Sequence, residues 1–359
     1  MKRSIFIVVC FLSCLSLAAK PNVYEQAVLY PSVDQHGNPL ELSGRISVPQ
    51  GKTPKGVILL PHYTICSNAE APSNKVTGEA GYFNKDYVLV MPDYIGYGVT
   101  ADRVHPYLAG ELTARNTVDM LLGVQPLLDS LAPGVSSDSI YIIGVSQGGA
   151  SALWTLKLIE EEYADQIHVI KCFASSGPYD VAATHDEAVR RNVVGIPATV
   201  AMLVIGTDVA YDLGLNYDEF FTPAMSRAYT RYIKDKKMSV FPMYFRMPER
   251  RLDHWLTAQG TDKSNPATQK LYAGLLRSSL VHYPLEEGGD SICPSWIPKT
   301  PMYIFHSTND DVVTFRCAEN LHRCFADVPN ITWDFGKYGN HFISIRQFFS
   351  RVQKLLAEE

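Results

Sequence analysis

The feature that most constrains the fold of this chain is the alternation of short apolar runs with longer amphipathic segments. Unbroken apolar runs of four to eight residues are typical of strands buried on both faces of a sheet, and the amphipathic segments are typical of helices packed against it. We therefore predict an α/β fold, with a mostly parallel sheet and helices on both faces. The predicted strands are 23–33, 40–48, 56–60, 87–91, 139–143, 168–174, 302–305 and 331–335, and the predicted helices are 112–131, 149–163, 315–326 and 342–356.

The alternation stops between residues 185 and 298, where helical patterning continues without a convincing strand. We interpret 185–298 as a helical cap inserted late in the sheet, between two parts of the core at 20–184 and 299–359. The apolar run 193–205 within it fits a buried cap helix, and a lid that opens on lipid is the alternative.

The first residues resemble a secretory signal, because Lys2 and Arg3 precede an apolar stretch at 5–17 and the small residues Ala18 and Ala19 follow. We predict a signal peptide at 1–19 and a secreted or periplasmic protein. A membrane anchor is the weaker interpretation, since about 20 apolar residues are needed to span a bilayer. Acylation at Cys14, as in a bacterial lipoprotein, is a third option.

Composition excludes some partners and cofactors. The 32 Lys and Arg residues against 37 Asp and Glu give a net charge of −5, without long runs of one sign, so nucleic acid is not an expected partner. Five cysteines follow the predicted signal and cannot all pair; we expect most to be buried free thiols. On one helix, Cys317 and Cys324 would lie about 10.5 Å apart, too far for a disulfide. The cysteine and histidine spacings lack zinc-site patterns, so neither a metal nor a cofactor is predicted.

A candidate nucleophile lies in Gly144-Val145-Ser146-Gln147-Gly148. A strand that ends in Gly-x-Ser-x-Gly and passes directly into a helix forms a sharp turn, and this turn raises the serine hydroxyl above the sheet edge. The glycines keep neighbouring segments from colliding. Because the motif lies between an apolar strand and a helical run here, we predict that Ser146 is a catalytic nucleophile.

A serine nucleophile needs a base and an acid that orients the base. In a sheet of this type, both follow the serine along the chain, first the acid and then the histidine. Asp310, in the turn after the apolar run 302–305, is our candidate acid, with Asp311 as the rival. His341 is our candidate base, because His322, the other histidine after Asp310, falls inside a predicted helix.

An oxyanion formed at the substrate carbonyl needs hydrogen-bond donors. The turn around Ser146 supplies the backbone N–H of Gln147. We assign the second donor to the backbone N–H of Thr64, in the loop after the strand at 56–60.

Together these motifs resemble the α/β-hydrolases, and in particular secreted esterases and lipases with a cap domain, including the fungal lipase A type. The segments that carry the resemblance are 92–98 (PDYIGYG), 105–108 (HPYL), 144–148, 175–180 (SSGPYD) and the Asp310 turn. The resemblance implies that Ser146, Asp310 and His341 form a triad and that the cap shapes the substrate pocket. Tyr63 and Ser307 depart from the glycines common in such folds.

The predicted function is hydrolysis of carboxylic esters through an acyl-enzyme, with a small-molecule or lipid ester as substrate and contact with a lipid surface as a further option. An esterase that removes acetyl or feruloyl groups from polysaccharide is a close alternative. A serine peptidase of the prolyl oligopeptidase type would use the same order of residues, although those enzymes usually carry a large additional domain. A binding module on an inactive hydrolase fold would normally lack a member of the triad, whereas all three candidates are present.

Overall fold

One eight-stranded sheet organises the computed structural model, which describes residues 22–136, 138–285 and 290–358. The strands lie in the order β1-β2-β4-β3-β5-β6-β7-β8. β1 pairs with β2 and β2 with β4 in antiparallel register, and every later pair is parallel. The predicted mostly parallel sheet is confirmed. The strands are β1 Val23–Val33, β2 Pro39–Pro49, β3 Val57–Leu59, β4 Val88–Pro92, β5 Ser139–Val145, β6 His168–Ser175, β7 Met302–Ser307 and β8 Ile331–Gly336.

Ten α-helices lie in the described part of the chain. They are α1 Gly110–Leu131, α2 Gln147–Glu162, α3 Val181–Arg191, α4 Ala198–Tyr211, α5 Tyr217–Phe220, α6 Pro223–Ala228, α7 Val240–Arg246, α8 Pro266–Ser278, α9 Arg316–Phe325 and α10 His341–Glu358. Short 3₁₀ turns occur at Asn68–Glu70, Gly78–Tyr82, Gly98–Thr100, Leu252–His254 and Gln259–Thr261, and Tyr229–Ile233 is a π-helical turn.

Both faces of the sheet are buried. Val57 and Leu59 of β3 pack in the cluster formed with α1, α2 and α9, while Ile58 between them packs on the opposite face, toward α10. Successive strand side chains point to opposite faces, so a strand covered on both sides must be apolar at every position. This burial explains why the central strands are unbroken apolar runs in the sequence.

A second hydrophobic core lies between β6 and β7 along the chain. Helices α3 to α8 fall in this interval, and side chains such as Ala201 of α4, Phe220 of α5 and Leu275 of α8 form their own buried cluster. Among the described residues of this interval, β-pairing is limited to two isolated bridges. The cap boundaries at 185 and 298 stay a prediction. Helix α4 begins at Ala198 rather than 193, directly after Pro197, which has no N–H to donate within a helix.

Cys293 and Cys324 form a disulfide, and Cys66, Cys172 and Cys317 are buried free thiols. The predicted signal peptide at 1–19 and Cys14 lie outside the described residues. No helix within the described ranges is both long and apolar enough to cross a membrane.

Candidate active site

Ser146 occupies a sharp turn between β5 and α2. Its backbone adopts φ 55° and ψ −126°, a region that side-chain-bearing residues rarely occupy. The flanking glycines make the turn fit: a Cβ at Gly144 would lie 2.1 Å from the carbonyl oxygen of Gly148, and a Cβ at Gly148 would lie 2.2 Å from that of Pro61. The predicted strand–turn–helix geometry is therefore present at Ser146.

His341 faces Ser146 from the start of α10. Its Nε2 lies 3.1 Å from the Ser146 Oγ, a hydrogen-bonding distance. Asn340, just before the helix, accepts the N–H of Ile343 with its side chain and that of Ser344 with its carbonyl, and so fixes where α10 begins. The imidazole is almost completely buried.

Asp310 completes the series of contacts from the turn after β7. Its Oδ2 accepts a hydrogen bond from His341 Nδ1 at 2.7 Å, and its Oδ1 accepts the backbone N–H groups of Val312 and Val313, each at 2.9 Å. Burial raises the pKa of this carboxyl, but His341, His306 and the Val312 amide outweigh burial and hold the pKa below its ordinary value. The buried group is therefore a carboxylate at neutral pH.

The structure also places the rival residues. The Asp311 carboxylate accepts the backbone N–H of His341 at 3.1 Å, so the contact is with the peptide unit and not with the imidazole. His322 lies in α9, where its ring packs against Trp333 with 4.8 Å between ring centroids. Of the predicted acids and bases, the pair that forms the hydrogen-bonded series with Ser146 is Asp310 and His341.

The candidate oxyanion donors lie on two segments that touch. Gln147 is the first residue of α2, where backbone N–H groups point out of the helix end. The loop after β3 runs against this helix start, because the carbonyl oxygens of Pro61 and His62 approach Gly148. Thr64, further along that loop, shares a hydrogen bond between its hydroxyl and that of Tyr107 at 2.8 Å. The donor roles of Gln147 and Thr64 stay predictions.

Two histidines that sequence reasoning did not assign to the site contact its residues. His105 donates from Nδ1 to the carbonyl oxygen of Ile95, which leaves its Nε2 to accept the side-chain amide of Gln147 at 2.9 Å. Burial lowers the pKa of His105 to about 3, so the ring is neutral. The only sequence signal for His105 was its place in the 105–108 motif.

His306, on β7, is the second of these histidines. Its Nε2 lies 3.2 Å from the carbonyl oxygen of Val313 and 3.5 Å from the Asp310 Oδ2. Burial lowers the pKa of His306, so the ring is neutral, and its Nε2–H donates to the Val313 carbonyl oxygen. His306 thereby links β7 to the far end of the turn that carries Asp310.

A cavity of about 340 Å³ opens beside His105. Its walls include Cys66, Tyr97, Met202 and Ile205, together with the charged residues Asp102, Arg103, Lys234, Asp235 and Lys236. A smaller cavity of about 120 Å³ lies between α4 and the turn that carries Asp310. The larger cavity reaches the candidate site through His105, whose ring contacts the Gln147 side chain.

Comparisons with known proteins locate the fold. No family model matches the chain, and no curated protein matches its sequence. Among solved structures, a Legionella pneumophila protein provisionally assigned as a hydrolase is similar, with TM-score 0.78, 17% identity, and coverage of 95% of this chain and 90% of that one. The rice cell wall degrading esterase LipA from Xanthomonas oryzae is similar with TM-score 0.76, 20% identity, and coverage of 95% and 91%.

Candida antarctica lipase A in its closed state is also similar, with TM-score 0.63, 17% identity, and coverage of 92% of this chain and 79% of that one. At these identities the likeness concerns the fold. The chain has the α/β-hydrolase fold.

Proposed function

We propose that this protein is a serine hydrolase that cleaves carboxylic esters through an acyl-enzyme intermediate. The observation that carries the proposal is the series of contacts from Asp310 Oδ2 to His341 Nδ1 at 2.7 Å and from His341 Nε2 to Ser146 Oγ at 3.1 Å. A nucleophile, a base and a group that orients the base are recognised by this geometry and not by position in the sequence.

In the first half of the reaction, His341 Nε2 takes the hydroxyl proton of Ser146 while the Oγ attacks the ester carbonyl carbon. The tetrahedral intermediate then collapses, the bond to the alcohol oxygen breaks, and that oxygen leaves with the proton from His341. In the second half, His341 takes a proton from water, the resulting hydroxide attacks the acyl-Ser146 ester, and the acid is released as Ser146 regains its proton.

The electrostatics of the site favour the charges that this sequence of steps creates. The Asp310 carboxylate stays ionised and stabilises the imidazolium that forms on His341. The oxyanion develops near the start of α2, where the helix dipole and the N–H of Gln147 favour negative charge. Thr64 N–H is the proposed second donor, and each such donor typically contributes about 2.7 to 4 kcal/mol to transition-state stabilisation.

Esters of acyl lipids or small alcohols are the proposed substrates. The similarity to a cell wall degrading esterase favours a second candidate, removal of acyl groups from polysaccharide, which uses the same chemistry on a different alcohol. A peptidase activity would require the same site to expel an amine.

We further propose that the chain is exported by the signal at 1–19, with acylation at Cys14 as the alternative route to the cell surface. The disulfide between Cys293 and Cys324 supports export, because disulfides persist in oxidising compartments and are rare in the cytosol.

The test compares Ser146→Ala with Ser151→Ala in an assay on p-nitrophenyl esters. Ser151 is a buried serine on α2, the helix that follows Ser146, and its hydroxyl donates to the Gln147 carbonyl, so it is a matched control. We expect Ser146→Ala to lose activity by a factor of about 10⁶ and to lose labelling by a fluorophosphonate. Ser151→Ala should keep both. A Ser146→Ala enzyme with most of its activity would remove Ser146 from the role.

A panel of acyl-chain lengths, acetylated or feruloylated polysaccharide and aminoacyl amides then separates the substrate classes. Faster turnover of the polysaccharides than of the simple esters would favour the second candidate. Preference for amides would contradict the proposal.

A further inference from the structure

Helix α7 presents aromatic side chains to solvent. Phe241 is 62% exposed, Tyr244 37% and Phe245 53%, whereas Met243 and Met247 beneath them are each 1% exposed. The rings touch one another, with centroid separations of 5.1 Å between Phe241 and Phe245 and 5.7 Å between Tyr244 and Phe245. We call these three side chains the aromatic patch. A contiguous exposed apolar patch of this kind marks an interaction site.

Positive charge surrounds the aromatic patch along the chain. Residues 227–251 contain eight Lys and Arg residues and two acidic residues, although the chain as a whole carries a net charge of −5. We call 227–251 the basic segment. The Arg250 guanidinium stacks on the Tyr244 ring at 3.7 Å, and Arg246 is exposed on α7 itself. Arg246 and Arg250 therefore lie beside the aromatic rings.

Some of these cations are already paired and others are not. Arg251 pairs with Asp253 at 2.7 Å, and the Lys236 ammonium donates to backbone carbonyls including those of Gly96 and Ala101. Arg227, Lys234 and Arg246 are exposed and take part in none of the ion pairs formed within the described ranges, whereas Lys237 and Arg251 each have an acidic partner. These three exposed side chains are accessible to an external anion.

The basic segment also borders the larger cavity. Tyr229, Ile233 and Lys234 form part of its wall, together with Met202 and His105. A partner that contacts the basic segment would therefore lie next to this cavity.

We propose that the aromatic patch and the basic segment form a docking surface for a lipid bilayer that carries anionic headgroups. Phe and Tyr rings partition into the boundary between headgroups and acyl chains, and nearby Lys and Arg side chains bind the anionic headgroups. A bilayer supplies the apolar phase and the negative charge at once. A soluble polyanion lacks the apolar phase, and a second copy of this chain would bring like charges together.

This inference concerns binding and does not depend on the proposed hydrolase activity. It is tested by co-sedimentation of the full chain with vesicles of non-hydrolysable ether lipids, made of phosphatidylcholine alone or with phosphatidylglycerol. We expect binding to the phosphatidylglycerol vesicles to be at least about tenfold tighter than to phosphatidylcholine, and to weaken with added salt.

Three variants assign the binding to this surface. Phe241→Ser combined with Phe245→Ser should weaken vesicle binding by about tenfold or more, because the inserted rings are lost. Lys234→Gln combined with Arg246→Gln should remove the preference for phosphatidylglycerol. Leu29→Ser is the control, since Leu29 is 60% exposed on β1 and outside this surface, and it should bind like the unaltered protein. Because all of these side chains are exposed, thermal unfolding should change little in each variant.

Three outcomes would overturn the proposal. Equal binding to both kinds of vesicle would exclude recognition of anionic headgroups. Vesicle binding that survives both double substitutions would place the contact elsewhere. A dimer in sedimentation equilibrium that is abolished by the aromatic substitutions, without any vesicle binding, would assign the patch to a second copy of the chain.

Discussion

The substitution Asp310→Asn isolates the role of one charge in the candidate site. The asparagine side-chain oxygen can still accept the N–H groups of Val312 and Val313, which now bond to Asp310 Oδ1 at 2.9 Å. The amide nitrogen then takes the place of Oδ2, 2.7 Å from His341 Nδ1. An amide N–H directed at Nδ1 stabilises the tautomer with the proton on Nε2, which faces the Ser146 hydroxyl. That tautomer cannot accept the serine proton.

The expected loss is large and falls on catalysis. The equivalent change in a serine hydrolase triad lowers kcat by about 10⁴, which corresponds to about 5.5 kcal/mol of activation free energy. KM should change little, since Asp310 is buried behind His341 and does not reach the substrate. The turn should keep its fold, because the two backbone hydrogen bonds are retained.

Asp311→Asn is the matched control. The Asp311 carboxylate accepts the backbone N–H of His341 at 3.1 Å. The amide oxygen of an asparagine can accept the same hydrogen bond. We expect kcat within about tenfold of the unaltered enzyme, which corresponds to about 1.4 kcal/mol, because Asp311 bonds to the His341 peptide unit and not to its ring. The assay is steady-state hydrolysis of a p-nitrophenyl ester across a range of pH. The reasoning is refuted if Asp310→Asn keeps more than a tenth of the activity, or if Asp311→Asn loses as much as Asp310→Asn.

Three further predictions concern stability and the turn at Ser146. Replacing Cys293 and Cys324 together by Ala should lower the free energy of unfolding in urea by about 3.7 kcal/mol, because the disulfide closes a loop of 31 residues; an unchanged midpoint would contradict this. Burial raises the pKa of Glu79 to about 7, so its contribution to stability is present below pH 4.5 and is lost as the pH rises through 7. From pH 5 to pH 8, the free energy of unfolding of Glu79→Gln should therefore rise by about 2.5 kcal/mol relative to that of the unaltered protein, as measured by urea unfolding. A difference that does not change with pH would refute the raised pKa. Gly148→Ala should lower kcat/KM by about 10² or more, since its Cβ would lie 2.2 Å from the Pro61 carbonyl oxygen. Gly81→Ala is the control and should leave kcat/KM unchanged, because a Cβ there meets no atom within 4 Å.

The sheet could be predicted from the sequence because strands buried on both faces are unbroken apolar runs. The run at 87–91 predicts β4 to within one residue of Val88–Pro92, and the run at 23–33 coincides with β1. Helix α2 begins at Gln147 and not at 149, because the strained residue Ser146 itself ends the strand and the helix follows without a spacer.

The candidate site was predictable where chemistry limits the choice of residue, and not where it depends on the path of the chain. A serine in a tight turn needs a later acid and a later histidine, and few residues qualified. The contacts of His306 and His105 depend on how β7 and the loop after β4 lie in space, which no local pattern records. The same holds for the Cys293–Cys324 pair, whose partners are 31 residues apart. The run that forms α7 is apolar on several sides, so its outward face could not be identified from periodicity.

The backbone of Ser146 has a consequence for how this protein would respond to selection in the laboratory. A residue with a Cβ held at φ 55° and ψ −126° costs about 1 to 3 kcal/mol of folding free energy, and glycine at the same position would not bear that cost. Libraries screened only for heat resistance should therefore enrich Ser146→Gly, and under the proposed mechanism these variants would be more stable but inactive. A selection that keeps the proposed activity would therefore have to screen for hydrolysis and heat resistance together.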